Sequence, residues 1–124
     1  MRYLTSEKEV KDFLTILHSI LEDKDFNIEN NLYFIVSYKN KSTLIDLEYD
    51  VYDVVECLKK LTVREYSHTL LDQGDNNPPL LYVFGQYING RCVYIKMKIK
   101  GEDNKKVLCL SFHYAEWEMN FPYA

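Results

Sequence analysis

Tyr94, Lys96 and Lys98 alternate along the stretch "VYIKMK", and His113 closes the next apolar run, "VLCLSFH". These residue types suit a phosphodiester. Metal-independent RNA cleavage needs a base for the 2′-hydroxyl, an acid for the departing 5′-oxygen, and positive charge against the phosphorane. Of these side chains, only histidine has an ordinary pKa near neutrality, about 6.5. Lysine and tyrosine, at about 10, need neighbours to lower their pKa before they act as bases. Lys96 is therefore cast as an electrostatic clamp and Tyr94 as a group that orients phosphate or stacks on a base. Arg91 and Lys98 are further candidate phosphate contacts.

The elements that must hold these residues follow from periodicity. Val93, Ile95, Met97 and Ile99 alternate with the polar set and should face a core, joined by Leu108, Leu110 and Phe112. "LLYVFGQYI" and "RCVYIKMKI" are linked by Asn89-Gly90, the strongest short hairpin signal. A second hairpin across "KGEDNKK" completes a three-stranded antiparallel meander. A turn near Asp103–Asn104 sets Lys96 opposite Ser111 and Tyr94 opposite His113, and a two-residue turn at Asn89-Gly90 sets Gly85 opposite Tyr94. The expected result is a shallow hollow floored by Gly85 and ringed by Tyr94, Lys96 and His113, with a β-bulge as the feature that would spoil this register.

Upstream, Ser6 and Glu9 have capping-box spacing, and Val10, Phe13, Leu14, Leu17, Ile20 and Leu21 repeat as one helical stripe. His18 lies beside that stripe and reads as structural. "NLYFIVSY" (31–38) reads as a strand ended by "KNKS", and "STLIDLEY" as either strand or short helix. A second helix is predicted from Asp50, with Val51, Val54, Val55 and Leu58 on one face. "LTVREYSHTLLD" reads as a connector with a short helical turn, and "QGDNNPP" as a loop. Trp117 is expected to anchor the C-terminal tail or hold a partner.

Bulk properties bound the rest. A chain of 124 residues with 47% apolar and 27% charged residues fits one soluble α+β domain over 1–124, large enough for its own core. The start has no signal-peptide core and no apolar run approaches bilayer length, so the expected location is cytoplasmic. Three cysteines without a CxxC pair fit reduced thiols. The net charge of −4 is uneven: residues 1–85 carry nine Lys/Arg against fifteen Asp/Glu, and residues 86–124 carry six against four. Local basic clustering matters more than net charge for binding a polyanion. No Gly-rich phosphate loop, zinc-spaced cluster or nucleophile elbow is present. A Cys–His hydrolase built on Cys92 or Cys109 has no local signature, and no cofactor is called for.

The ordered set "TLIDLEY…LKKLTVREYSHTLLD…LLYVFGQYINGRCVYIKMKI…VLCLSFHYAEWEMNFPY", from about residue 43 to 123, resembles MqsR-like bacterial type II toxins, within the RelE-like group of mRNA interferases. The resemblance implies a RelE-like α+β fold, with two or three helices on one face of an antiparallel sheet. It also implies metal-free cleavage of mRNA, free or on the ribosome, and a cognate antitoxin protein that neutralises the toxin by binding it. Tyr94 and Lys96 fall on the tyrosine and lysine of the family's strand motif. His113 stands where the relatives have a lysine after "SF", and His68 falls on a second family lysine. Gln86 is the rough counterpart of their glutamine. The expectation is thus a toxin endoribonuclease with His113 and His68 in acid–base roles, Lys96 and Tyr94 at the phosphate, and Arg91, Lys98 and Gln86 binding RNA. The alternative is a non-catalytic protein-interaction module on the same fold, using the surface that eleven tyrosines supply.

Overall fold

A computed structural model describes residues 2–71, 80–101, 103 and 105–124. The expected "QGDNNPP" loop lies outside the described residues.

Helix α1 (Glu7–Leu21) starts where the spacing places it, with the Ser6 hydroxyl accepting from the Glu9 amide at 3.2 Å. All six residues of its apolar stripe are buried. Helix α4 (Val51–Lys59) opens on a reciprocal capping box between Asp50 and Asp53, and buries Val54, Val55 and Leu58. A ring nitrogen of His18 donates to the Leu58 carbonyl at 3.3 Å, tying the two helices together as a structural histidine would. A short helix, α2 (Ile28–Asn31), precedes strand β2 (Leu32–Phe34).

Two expectations need correction in this region. The strand read over 31–38 covers only Leu32–Phe34, and "KNKS" does not end it. Those residues belong to helix α3 (Tyr38–Leu47), capped by the Ser37 hydroxyl. The buried residues of α3 are Asn40, Thr43 and Leu47. Two of the three are polar, so the helical period carries no apolar stripe. The second correction concerns "REYSHTLL". After a 3₁₀ turn at Val63–Glu65 it forms strand β3 (Tyr66–Leu70), where a connector was expected. Four of its five residues are buried and three of those are polar, so no alternation marks it.

The remaining strands are β1 (Arg2–Tyr3), β4 (Leu81–Ile88), β5 (Arg91–Lys100) and β6 (Lys106–Tyr114). Among the described residues the sheet has six strands in the order β1-β3-β4-β5-β6-β2, antiparallel except for the parallel pair β2–β6. The fold is α+β, with four α-helices among the described residues where two or three were expected. Val93, Ile95, Met97 and Ile99 face the helices and join one apolar cluster with α1 and α4. Asn89 and Gly90 both take positive φ, 52° and 83°, which closes the β4–β5 hairpin and pairs Gly85 with Tyr94.

The β5–β6 ladder contains the feature that was expected to break its register. Lys100 pairs with Lys106, so the hairpin closes one residue off the register inferred from a turn at Asp103–Asn104. A bulge between Lys96 and Met97 then shifts the ladder back, and Lys96 faces Ser111 while Tyr94 faces His113. The bulge also swaps the faces of β6. Val107 and Cys109 are buried below it and Phe112 above it, whereas Leu108 and Leu110, expected in the core, are only partly buried. Asn40 of α3, fully buried, plugs the irregularity: its amide donates to the carbonyls of Leu110 (3.2 Å) and Ile35 (2.8 Å), and its oxygen accepts from the Phe112 amide (2.9 Å). Backbone groups released by a bulge need such partners when buried.

Candidate functional site

The sheet face away from the helices collects Arg2, His68, Val83, Gly85, Tyr94, Lys96, Ser111 and His113 by strand alternation and pairing. His68, Val83, Lys96 and Ser111 form one row across four strands; Gly85, Tyr94 and His113 lie in the next. The hollow expected above Gly85 is filled. A Cβ added there would stand 2.8 Å from Phe121 Cζ and 2.9 Å from Met119 Sδ, so glycine is what lets the C-terminal segment lie on the sheet.

That segment, residues 115–124, crosses the face from β6 toward β1. The Ala115 amide donates to the Cys92 carbonyl, Glu116 pairs with Lys39 at 2.5 Å, and the Tyr123 hydroxyl donates to the Thr5 carbonyl at 2.6 Å. Tyr123 also stacks on Tyr66, with ring centroids 5.6 Å apart. Trp117, expected to anchor the tail or hold a partner, is 85% exposed and so does not anchor it. The anchors are Met119, Phe121 and Tyr123.

Between the segment and the sheet a cavity of about 940 Å³ remains. Tyr94, Lys96, His113 and His68 all line it, together with Arg2, Ser67 and Ser111. Four of the expected site residues therefore meet in one place, and His68 reaches it from a strand that the sequence did not reveal.

His113 stacks on Tyr94, with centroids 5.3 Å apart and planes 16° from parallel. Its Nδ1 lies 3.0 Å from the Tyr114 carbonyl, which can only accept, so Nδ1 carries a proton and Nε2 has no hydrogen-bond partner among the described residues. Burial holds the Tyr94 phenol above its ordinary pKa, against the opposing pull of Arg2. Tyr94 is thus a hydrogen-bond donor at neutral pH. His68 is 5% exposed, with Nδ1 2.9 Å from the Ser67 hydroxyl. Its Nε2 is buried and has no hydrogen-bond partner among the described residues. Burial, then the charge of Arg2, lowers its pKa to about 4. At pH 7 this shift keeps the His68 ring in its neutral form.

Three other expected contacts lie elsewhere. Gln86 is on the helix face, buried, with its amide donating to the Cys57 carbonyl at 2.9 Å. An RNA strand has no access to it, because its place opposite Val93 turns it into the core. Lys98 is 4% exposed and does not line the cavity. Arg91 lies over the Tyr114 ring, 3.5 Å from its centroid, at a separate shallow depression beside Trp117. Arg2 is the residue that sequence reasoning missed. Its only signal was a basic residue in the second position, and β1 is too short to announce itself as a strand.

Among the described residues, no helix is long and apolar enough to cross a membrane, and no group of three His, Cys, Asp or Glu side chains could hold a metal ion. No protein-family model matches the chain, and no curated protein or solved structure gives a significant match.

Proposed function

We propose that this chain is an endoribonuclease of the MqsR-like toxin type, on a RelE-like variant of its α+β fold, that cleaves mRNA without a metal ion and is held in check by an antitoxin protein. The observation that carries this reading is the convergence of His113, Tyr94, Lys96 and His68 on one cavity. His113 Nε2 takes the proton from a 2′-hydroxyl, whose oxygen attacks the adjacent phosphorus. The bond to the 5′-oxygen breaks, leaving a 2′,3′-cyclic phosphate and a 5′-hydroxyl. The Lys96 ammonium offsets the charge that builds on the phosphorane and gives the leaving oxygen its proton. Tyr94, kept as a phenol, donates to a phosphate oxygen. His68 serves as a neutral hydrogen-bonding wall.

The test is cleavage of an end-labelled mRNA by purified protein in EDTA, with His113→Ala and Lys96→Ala alongside. Cleavage should survive chelation and fall at least about a hundredfold in His113→Ala, the usual scale for losing a general acid or base. Fragments that persist unchanged in both variants would remove the activity from this cavity. A second reading, a binding module without catalysis, draws support from the exposed side chains of Tyr33, Val36, Tyr38, Tyr52, Tyr87 and Trp117. It predicts that no RNA is cut, that expression of the chain alone does not arrest growth, and that partner binding is lost on substituting these side chains.

A further inference from the structure

We infer that Arg2 holds a second phosphate of the bound RNA strand, next to the one engaged by Lys96 and His113. This rests on the ribonuclease reading and extends its site onto β1, an element that no part of that reading required.

Arg2 pairs with Leu70 at the outer edge of the sheet, and its side chain lines the same cavity as Lys96 and His113. Strands β3 and β4 lie between β1 and β5, so the backbones of Arg2 and Lys96 are about three strand spacings apart, roughly 14 Å. Both side chains are long and both line the space between them. Two cations at opposite ends of one cavity suit two successive charges better than a single phosphate.

The charges are available. Among the described residues, neither Arg2 nor Lys96 forms an ion pair; of the two carboxylates on the rim, Glu116 is taken by Lys39 and Glu118 is exposed and pairs with neither cation. The positive charge of Arg2 acts on both His68 and Tyr94, so its field covers the cavity floor from β3 to β5. His68 lies between the two cations. A guanidinium at this edge presents a planar fork that matches phosphate oxygens two at a time, which an ammonium cannot do.

The experiment measures binding of a ten-nucleotide single-stranded 2′-O-methyl RNA, which lacks the attacking hydroxyl and stays intact. Fluorescence anisotropy at several salt concentrations compares the full chain with Arg2→Gln and with Lys24→Gln, an exposed residue outside the cavity. Arg2→Gln should weaken binding at least about fivefold and reduce the slope of log affinity against log salt by about 0.7, the value for one phosphate contact on a single strand. Lys24→Gln should leave both unchanged. Circular dichroism confirms that each variant is folded. Binding by the wild type with no change in Arg2→Gln overturns the role of Arg2 and leaves the ribonuclease reading intact. Absence of binding by the wild type overturns that reading, and this inference falls with it.

Discussion

His68 and His113 are the same side chain in opposite circumstances. His113 is partly buried on an open row, stacked on Tyr94, with one ring nitrogen fixed by a carbonyl and the other available. His68 is buried, beside Arg2, and titrates at about 4. The consequence for stability has a definite sign. The unfolded chain protonates this imidazole near its ordinary 6.5, whereas the folded chain resists until about pH 4. The stabilising contribution is therefore complete above pH 6.5 and is lost as the pH falls toward 4. Thermal midpoints of the wild type should drop more steeply across that window than those of His68→Leu. Parallel curves for the two proteins would show that His68 keeps its ordinary pKa in the fold. This pair also shows how far residue types reach. Both histidines were named from sequence, but nothing in "REYSHT" told that its histidine would be dry, because the strand hiding it buries polar residues that satisfy one another: the Tyr66 hydroxyl bonds Thr69 at 2.6 Å and the Thr5 amide at 2.9 Å.

At the scale of elements, the site depends on one asparagine. Without the bulge that Asn40 fills, the β5–β6 register would run on from Lys100–Lys106, and Tyr94 would face Phe112 in place of His113. A one-residue slip in a strand sends every side chain beyond it to the other face. Asn40→Ala leaves the Phe112 amide and the Leu110 carbonyl without the partner that satisfies them. A loss of at least about 2 kcal/mol is expected from stranded buried groups of this kind, read as a lower urea midpoint. Amide exchange should speed up selectively around Ser111–His113. A loss of stability with protection unchanged there would mean that the bulge is held by the strands themselves.

At the scale of the whole molecule, an acidic helical layer backs a sheet whose other face gathers Arg2, Lys96 and two histidines, so a net charge of −4 coexists with two cations on the floor of one cavity. The C-terminal segment closes that cavity and ties the end of the chain to its beginning through Tyr123 and Thr5. Tyr123→Ala removes a stacked ring and a hydrogen bond at once, and should cost about 2–4 kcal/mol. In urea unfolding the midpoint should fall accordingly, and cysteine labelling should detect faster access to Cys92, whose thiol contacts Met119 at 3.7 Å. Unchanged labelling with a lower midpoint would mean that Met119 and Phe121 hold the segment by themselves.

What the sequence determined by itself is what depends on near neighbours. The stripe of α1, the capping box at Asp50, the Asn89-Gly90 turn and the alternation of β5 each express a local rule with a period of two or about four, or a backbone angle that few residues adopt. They sufficed to bring Tyr94 and Lys96 onto one face, whereas His113 joins them only through the bulge that Asn40 fills. The tertiary structure alone decided what occupies that face. Whether α3 was a helix rested on polar residues whose partners lie about seventy positions away, as Asn40 with Phe112 and Thr43 with the Tyr114 amide. β1 and β2 exist as strands only because β3 and β6 pair with them. The filling of the Gly85 hollow came from Met119 and Phe121, distant in sequence and free of any periodic signal. Hydrogen-bond partners and burial of this kind are set by which surfaces meet, and no local pattern encodes that meeting.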